Sequence, residues 1–433
     1  MRAKRLRLTD FRNYRELDLE LPRGLVVFSG RNAQGKTNLL EAISLVATSR
    51  SFRTTSEREA VRWNAAGRFA RVDALVQRRR DELHVEVVIA DAPTNAEGAA
   101  GRPSPDPALP LPPAAPFRKR IRINGAPRRG MDLIGKVTIV VFAPSDLDLV
   151  IGSPSERRRF LDMTLCQVRP AYCRALSQFQ KVLTQRAALL RRIRDGEESP
   201  HALGYWDEQL ARLAAPILRE RAAFVAQAGA GAARVYAALA HAEEADDEDQ
   251  ADQEGADGAA GTGTDAGAEG DAQGALRLVY RPAYEGPLDG DDEQVAAGIR
   301  QRLGELRRRE IAQGANVLGP HRDDLAFLAG AVDLSTYGSR GQQRSVALAL
   351  KLAELEYIER ETGDQPILLL DDVLSELDAQ RRADLLAAVR GLDQVLLTTT
   401  DAGSVPAAAL ADAHVYRVRA GQVQLLSAPS GAG

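Results

Sequence analysis

Cysteine is nearly absent from this 433-residue chain. Cys166 and Cys173 are the two. They have no C-x-x-C partner or histidine-rich surroundings, which excludes a disulfide framework and a zinc site. Seven apart on one expected helix, they read as buried thiols. Aromatic residues make up only 5% of the chain, and none interleaves with its basic clusters as a base-stacking platform would require. No apolar run approaches the length of a membrane span. The start, Met1-Arg2-Ala3-Lys4-Arg5-Leu6, passes directly into an alternating pattern with no apolar signal core. The expectation is a cytoplasmic protein with no membrane contact. There are no internal repeats.

The length exceeds what one small core needs and predicts two lobes, or one domain with a large insertion. Hydrophobic residues at 44% suffice for a globular fold. The net charge of −3 hides an asymmetry, because residues 243–271 carry twelve acids and no lysine or arginine. Without them the chain stands at +9. The folded remainder is therefore basic, which suits a polyanionic partner.

The chain is organised around Gly30-Arg31-Asn32-Ala33-Gln34-Gly35-Lys36-Thr37, which fits the P-loop pattern G-x-x-x-x-G-K-[ST]. Gly24 to Ser29 reads as a buried strand before it. Thr37 onward reads as an amphipathic helix with Leu39, Leu40, Ile43, Val46 and Ala47 on one face. The glycines let the backbone wrap closely around phosphates, and the helix aims its N-terminal N–H groups at them. Lys36 would reach the β and γ phosphates of ATP, and Thr37 would hold Mg²⁺.

A second half of the site lies far downstream. Pro366 to Asp372 is an apolar strand ending in two carboxylates, the Walker B arrangement. Asp371 would support Mg²⁺, and Asp372 would orient or deprotonate the attacking water. Ser335 to Arg344 opens a helix with Val346, Leu350, Ala353 and Tyr357 on one face. Its start at Ser339-Arg340-Gly341 is a second phosphate-ready helix N-terminus. Two such termini in one chain invite a nucleotide sandwiched between subunits.

In chain order, Lys4 to Thr9 and Leu17 to Leu19 predict strands about a turn near Arg12-Asn13-Tyr14. Thr48 to Thr54 is basic and hydroxyl-rich, and would either line a phosphate groove or form a solvated loop. Ala70 to Val76 and Leu83 to Ile89 predict paired strands, Lys119 to Ile123 a third with a hairpin signal at Asn124-Gly125, and Lys136 to Phe142 a buried strand. Residues 91–116 read as a disordered loop. From Ser153-Pro154-Ser155-Glu156 the pattern turns helical, with long stretches at Ala171 to Arg194 and Tyr205 to Ala240 forming an antiparallel pair. The acidic insert, bounded at 243–275, reads as a flexible tether. Leu276 to Tyr280 predicts a strand, Asp292 to Ile311 a helix, and the remainder alternating strand and helix to a hairpin at Ala420-Gly421.

On the P-loop, the signature-like Ser339-Arg340-Gly341-Gln342, the Walker B pair and the D-loop-like Ser375-Glu376-Leu377-Asp378, the chain resembles ABC-type ATPases of the SMC-like group. Asn32 to Asn38, Gly319 to Asp324, Tyr337 to Arg344 and Leu370 to Asp378 resemble characteristic segments of the RecF family. The similarity runs from Met1 to about the final hairpin, leaving out the inserts at 91–116 and 243–275. It implies an α/β fold in which an ABC-type P-loop ATPase lobe (1–145 with 315–433) is joined to a largely helical lobe (146–314). It implies ATP and Mg²⁺ as cofactors, with nucleotide contacts from Gly30 through Asn38 and from Ser339, Gly341 and Gln342. It further implies an ATP-dependent homodimer on duplex and gapped DNA that delivers RecA with RecO and RecR. Ser339 and Gly341 of one subunit would cap the γ-phosphate held by the other's Lys36. Two positions depart from the ABC pattern. Asp372 stands where many such ATPases have glutamate, and Thr398-Thr399-Thr400 replaces a switch histidine. Both predict slow hydrolysis.

Arg78, Arg79 and Arg80, then Arg118, Lys119 and Arg120, then Arg157, Arg158 and Arg159 are candidate DNA-backbone contacts. His321 leans towards nucleotide sensing over shaping its turn. The main rival reading is the ATP-binding subunit of an ABC transporter. A nuclease-linked ATPase is weaker, since no carboxylate cluster exists beyond Asp371 and Asp372.

Overall fold

Val26, Val27 and Phe28, Leu368 to Leu370, and Val395 to Leu397 are runs of apolar residues buried on both faces, the signature of parallel strands covered on two sides. The computed structural model describes residues 1–54, 56–91, 117–254 and 274–429, with side chains apart from 91, 117 and 240–254. The expected disordered loop 91–116 lies outside the described residues but for Asp91, as do residues 255–273 of the acidic insert, whose first part, expected as a flexible tether, continues a helix to Glu254. The described chain divides into two units, one of Met1–Phe142, Asp364–Glu376 and Val389–Gly433, the other of Ala143–Gly363 and Leu377–Ala388.

In the first unit, Ile139–Phe142, Ile367–Asp371, Gln394–Thr399, Gly24–Ser29 and His414–Arg419 pair in that order, all parallel, and Gln422–Ser427 closes the edge antiparallel. A second, antiparallel sheet orders Tyr14–Glu20, Arg2–Phe11, Phe69–Gln77, Glu82–Asp91, Phe117–Ile123 and Ala126–Arg128. The hairpin at Asn124-Gly125 forms as expected, with both residues at positive φ. The helix Lys36–Thr48 departs from the one-face expectation. Besides its apolar residues it buries Glu41, Ser44 and Thr48, because inner faces of both sheets share its core and no side is left for solvent.

The second unit is helical, with a three-stranded antiparallel sheet of Leu276–Arg281, Asp324–Ala329 and Val332–Asp333. The expected single helix around the cysteines is two, Pro154–Val168 and Pro170–Arg194. Pro170 starts the second and disfavours helical backbone at Arg169. Cys173 is buried and Cys166 half-buried. The helix expected over Tyr205 to Ala240 runs Leu203–Glu254. The sequence groups residues 315–433 with the ATPase lobe, but of these Leu377–Ala388 and all residues up to Gly363 fall elsewhere. Here they belong to the helical unit, where the helix Arg340–Thr362 packs on Leu203–Glu254 through an edge-to-face Phe224–Tyr357 pair 4.7 Å apart and an Arg234–Glu356 ion pair of 2.8 Å.

Candidate nucleotide site

Three of the parallel strands end at one edge of their sheet, which is where ligands sit in parallel α/β sheets. Gly24–Ser29 delivers the P-loop, Ile367–Asp371 the two carboxylates, and Gln394–Thr399, lying between them, delivers Thr398. The loop needs its glycines. Gly30 and Gly35 have φ of 156° and 112°, and a Cβ on Gly30 would meet the Val418 carbonyl oxygen. Ala33 also takes a positive φ, 64°.

The geometry joins Thr37 to Asp371. The Thr37 hydroxyl donates to Asp371 Oδ1 at 2.7 Å, and the Thr398 hydroxyl donates to the same oxygen at 2.8 Å. A hydroxyl and a carboxylate converging in this way are the hard oxygen donors that Mg²⁺ takes, so these residues fit the ion. Lys36 is 6% exposed and lays its ammonium over the loop, donating to the Gly30 carbonyl at 2.5 Å and the Arg31 carbonyl at 3.1 Å. Burial lowers its pKa, against the pull of Asp372 and Asp371. Asp372 is strained, with φ at 54°, a cost that concentrates at functional sites. Its Oδ1 is buried with no hydrogen-bond partner among the described residues. Burial pushes its pKa up, with Asp371 and Glu376 adding to the effect and Lys36 opposing it. Such a carboxyl is placed to take a hydrogen bond from a bound group or water.

Several residues of this site were not legible as functional in the sequence. In the sequence Thr398 stands out only as a residue where a histidine is missing. The turn Arg12-Asn13-Tyr14 braces the P-loop: Asn13 Nδ2 donates to the Gln34 carbonyl at 2.8 Å, Asn38 Nδ2 to Asn13 Oδ1 at 2.8 Å, and the Tyr14 hydroxyl to the Gly35 carbonyl at 3.0 Å. Arg12 forks onto the buried Glu41 at 2.5 and 2.8 Å. From the other side, the Ala420 N–H donates to Gln34 Oε1 at 2.8 Å. A turn signal carries no information about what it touches, which is why these contacts needed the fold.

In the second unit, Ser339 caps the helix Arg340–Thr362. Its hydroxyl accepts from the Gln342 N–H at 3.1 Å, and Gln342 Oε1 accepts from the Ser339 N–H at 2.9 Å. This capping box leaves Ser339 exposed at a helix N-terminus, beside the half-buried Gly341.

Four of the nine basic candidates for DNA are engaged within the protein. Arg157 is buried and forks onto Asp324 at 2.7 and 3.0 Å, and Arg158 donates to the Asp323 carbonyl at 2.7 Å. Arg78 clasps Asp81 at 2.5 and 2.7 Å, and Lys119 pairs with Glu57 at 2.5 Å. Arg79, Arg80, Arg118, Arg120 and Arg159 stay exposed, and none has a side-chain partner among the described residues.

The segment Gly319 to Asp324 is a packing hub of the second unit. Asp323, fully buried, accepts from Arg221 at 2.9 Å, the Tyr280 hydroxyl and the Ala283 N–H at 2.9 Å. His321 sits 6.0 Å from the Phe179 ring, and its Nε2 lies 3.3 Å from the Asn316 carbonyl. These contacts seat the ring in the turn, and its buried Nδ1 has no hydrogen-bond partner among the described residues. Burial holds its pKa down at about 4, against the Asn316 hydrogen bond. An unfolded histidine takes a proton near pH 6.5, so the unfolded chain binds more protons between there and 4. Stability from the neutral ring is present above that window and is lost as pH falls through it. Lowering pH from about 7.5 to 5 is expected to cost about 2 kcal/mol more in the parent than in His321→Gln. Urea unfolding at the two pH values checks this, and equal losses would dismiss the ring as the titrating group.

Among known proteins, a family model described as "AAA domain" matches residues 5–95. The DNA replication and repair protein RecF of Chloroflexus aurantiacus is 42% identical over 437 residues, covering 98% of this chain and 99% of its own length. RecF of Halalkalibacterium halodurans is 34% identical over 425 residues, covering 98% and 99%. A solved structure of the recombination mediator protein RecF with ATPrS, in the RecFOR pathway, superposes with a TM-score of 0.78 at 26% identity over 98% of both chains. An Smc head bound to the C-winged helix domain of ScpA shares the fold at a TM-score of 0.50 and 13% identity. The transporter reading falls away before these matches, and no helix among the described residues is long and apolar enough to cross a membrane. On these similarities over nearly its full length, the chain belongs to the RecF family of DNA replication and repair ATPases.

Proposed function

We propose that this protein is an ATP-gated DNA clamp of recombinational repair. The observation carrying this reading is the meeting of Lys36, Thr37, Asp371, Asp372 and Thr398 at one sheet edge, with a second open helix N-terminus at Ser339 in the other unit. ATP binds on the P-loop through residues Gly30 to Asn38, with Lys36 on its outer phosphates. Thr37 and Asp371 hold Mg²⁺, which when bound neutralises phosphate charge. Asp372 orients or deprotonates the attacking water.

Ser339, Gly341 and Gln342 of one subunit complete the site of its partner, so ATP binding makes a homodimer. The dimer clamps on duplex DNA at single-strand gaps. There the dimer helps load RecA together with RecO and RecR, in the cytoplasm. Hydrolysis is weak and DNA-stimulated, and it serves as a timer of release. The missing switch histidine supports the slow rate, because Thr398 and Thr399 spend their hydroxyls on Asp371 and on the Asp401 carbonyl.

Sedimentation with ATP and Mg²⁺, with and without gapped duplex, tests the reading. The parent is expected to dimerise only with ATP and to co-sediment with DNA. Ser339→Arg should stay monomeric, and Asp372→Asn should remain dimeric far longer. A monomer indifferent to both ligands would refute the clamp.

A further inference from the structure

Trp63 is the most exposed of the large hydrophobic residues, at 85%. A tryptophan held in water has no folding reason to be there, and indole is a good surface for an unpaired nucleic-acid base. Its loop is a fixed one. Phe11 and Val61 form a bridge, the Arg62 N–H donates to the Asp10 carbonyl at 2.8 Å, and Arg62 Nε donates to Asp10 Oδ1 at 2.6 Å. The same strand runs on into Arg12-Asn13, the turn that braces the P-loop.

The chain leading into this loop carries exposed cations. Arg50 and Arg58 are exposed without side-chain partners among the described residues. Of the carboxylates in this segment, the half-buried Glu57 pairs with Lys119 at 2.5 Å and the exposed Glu59 lies 3.6 Å from Arg12. The segment thus offers exposed cations and one exposed aromatic on an anchored loop.

We propose that Trp63 stacks on an unpaired base, making the loop Val61 to Arg68 the contact for single-stranded DNA beside the duplex. The inference rests on the DNA-binding reading above and adds the strand type recognised. A fully paired helix offers only its end pairs to an indole, whereas a gap offers bases with open faces. Arg58, close before Trp63 in the chain, is an exposed cation available to a neighbouring phosphate.

Trp63 and Trp206 are the chain's two tryptophans, so a Trp206→Phe protein reports on Trp63 alone. Its emission is expected to be quenched by oligothymidylate and by a gapped duplex, and to be unaffected by heparin or by a closed dumbbell duplex. Adding Trp63→Ala should weaken oligothymidylate and gapped-duplex binding about tenfold, the size of one lost base–aromatic stack. Dumbbell binding should be unchanged, and Trp63→Phe should retain most of the affinity. Quenching by heparin equal to that by oligothymidylate would overturn the proposal. So would an emission change produced by ATP-driven self-association without DNA, which would assign Trp63 to a protein interface. If gapped and dumbbell DNA both bind while Trp63 emission stays unmoved, this inference fails and the clamp stands. If no DNA binds at all, both fail.

Discussion

Lys36→Met is expected to lower ATP turnover by about 10²–10³-fold, the usual loss when one preorganised charge is removed from a phosphoryl-transfer site. The ammonium of Lys36 is held inside the loop by the Gly30 and Arg31 carbonyls, where a charge acts far more strongly than in water. Burial disfavours the cation and the carboxylates of Asp372 and Asp371 favour it. Methionine keeps the length and removes only the charge and the two hydrogen bonds. The melting temperature should therefore move by no more than a few degrees, as expected for one or two lost hydrogen bonds. Steady-state hydrolysis alongside binding of a fluorescent ATP analogue makes the measurement. Turnover close to the parent's, in a protein shown to be folded, would remove Lys36 from the chemistry.

The P-loop and the Walker B strand were legible because each is a local pattern with a local mechanism. Gly30, Gly35 and Lys36 sit within eight residues, and Leu368 to Asp372 is an apolar run with a charged end. Their meeting was expected from the pairing of the two motifs, but the insertion of Gln394–Thr399 between the two strands was not legible. That order places Thr398, an ordinary strand residue in the sequence, on Asp371. Charge clusters misled for the opposite reason. Arg157, Arg158 and Arg159 look alike in a row, but a helix turns each by a different angle. The first is buried on Asp324, the second half-buried on the Asp323 carbonyl and the third left in solvent. Amphipathic patterning likewise assumes that a helix has one wet side, and Lys36–Thr48 has none. Trp63 gave no signal because exposure is a property of the fold and cannot be read from residue type.

Arg186→Met is expected to destabilise the second unit by about 3–5 kcal/mol, the range for breaking a buried ion network by removing one partner. The guanidinium of Arg186 is fully buried and reaches two helices and a loop. It donates twice to Asp207 Oδ1, at 2.9 and 2.7 Å, once to Glu310 Oε2 at 2.6 Å and once to Asn316 Oδ1 at 2.7 Å. Burial alone would lower its pKa, but Glu310 and Asp207 hold it above the ordinary arginine value. Arg307 keeps Asp207 partly paired at 2.8 Å when Arg186 is gone. Glu310 has no such reserve, being 0% exposed and left with only the Val317 N–H at 3.0 Å. The loss should therefore come mainly from that one stranded carboxylate. Glu310→Gln placed on Arg186→Met is expected to recover a large part of it, which a packing defect alone would not allow. Urea unfolding of the parent, the single variants and the double variant closes the cycle. A double variant no more stable than Arg186→Met would assign the cost to lost packing. The fold would move here with the P-loop chemistry untouched, the reverse of Lys36→Met, so the two variants separate what holds the second unit together from what turns over ATP.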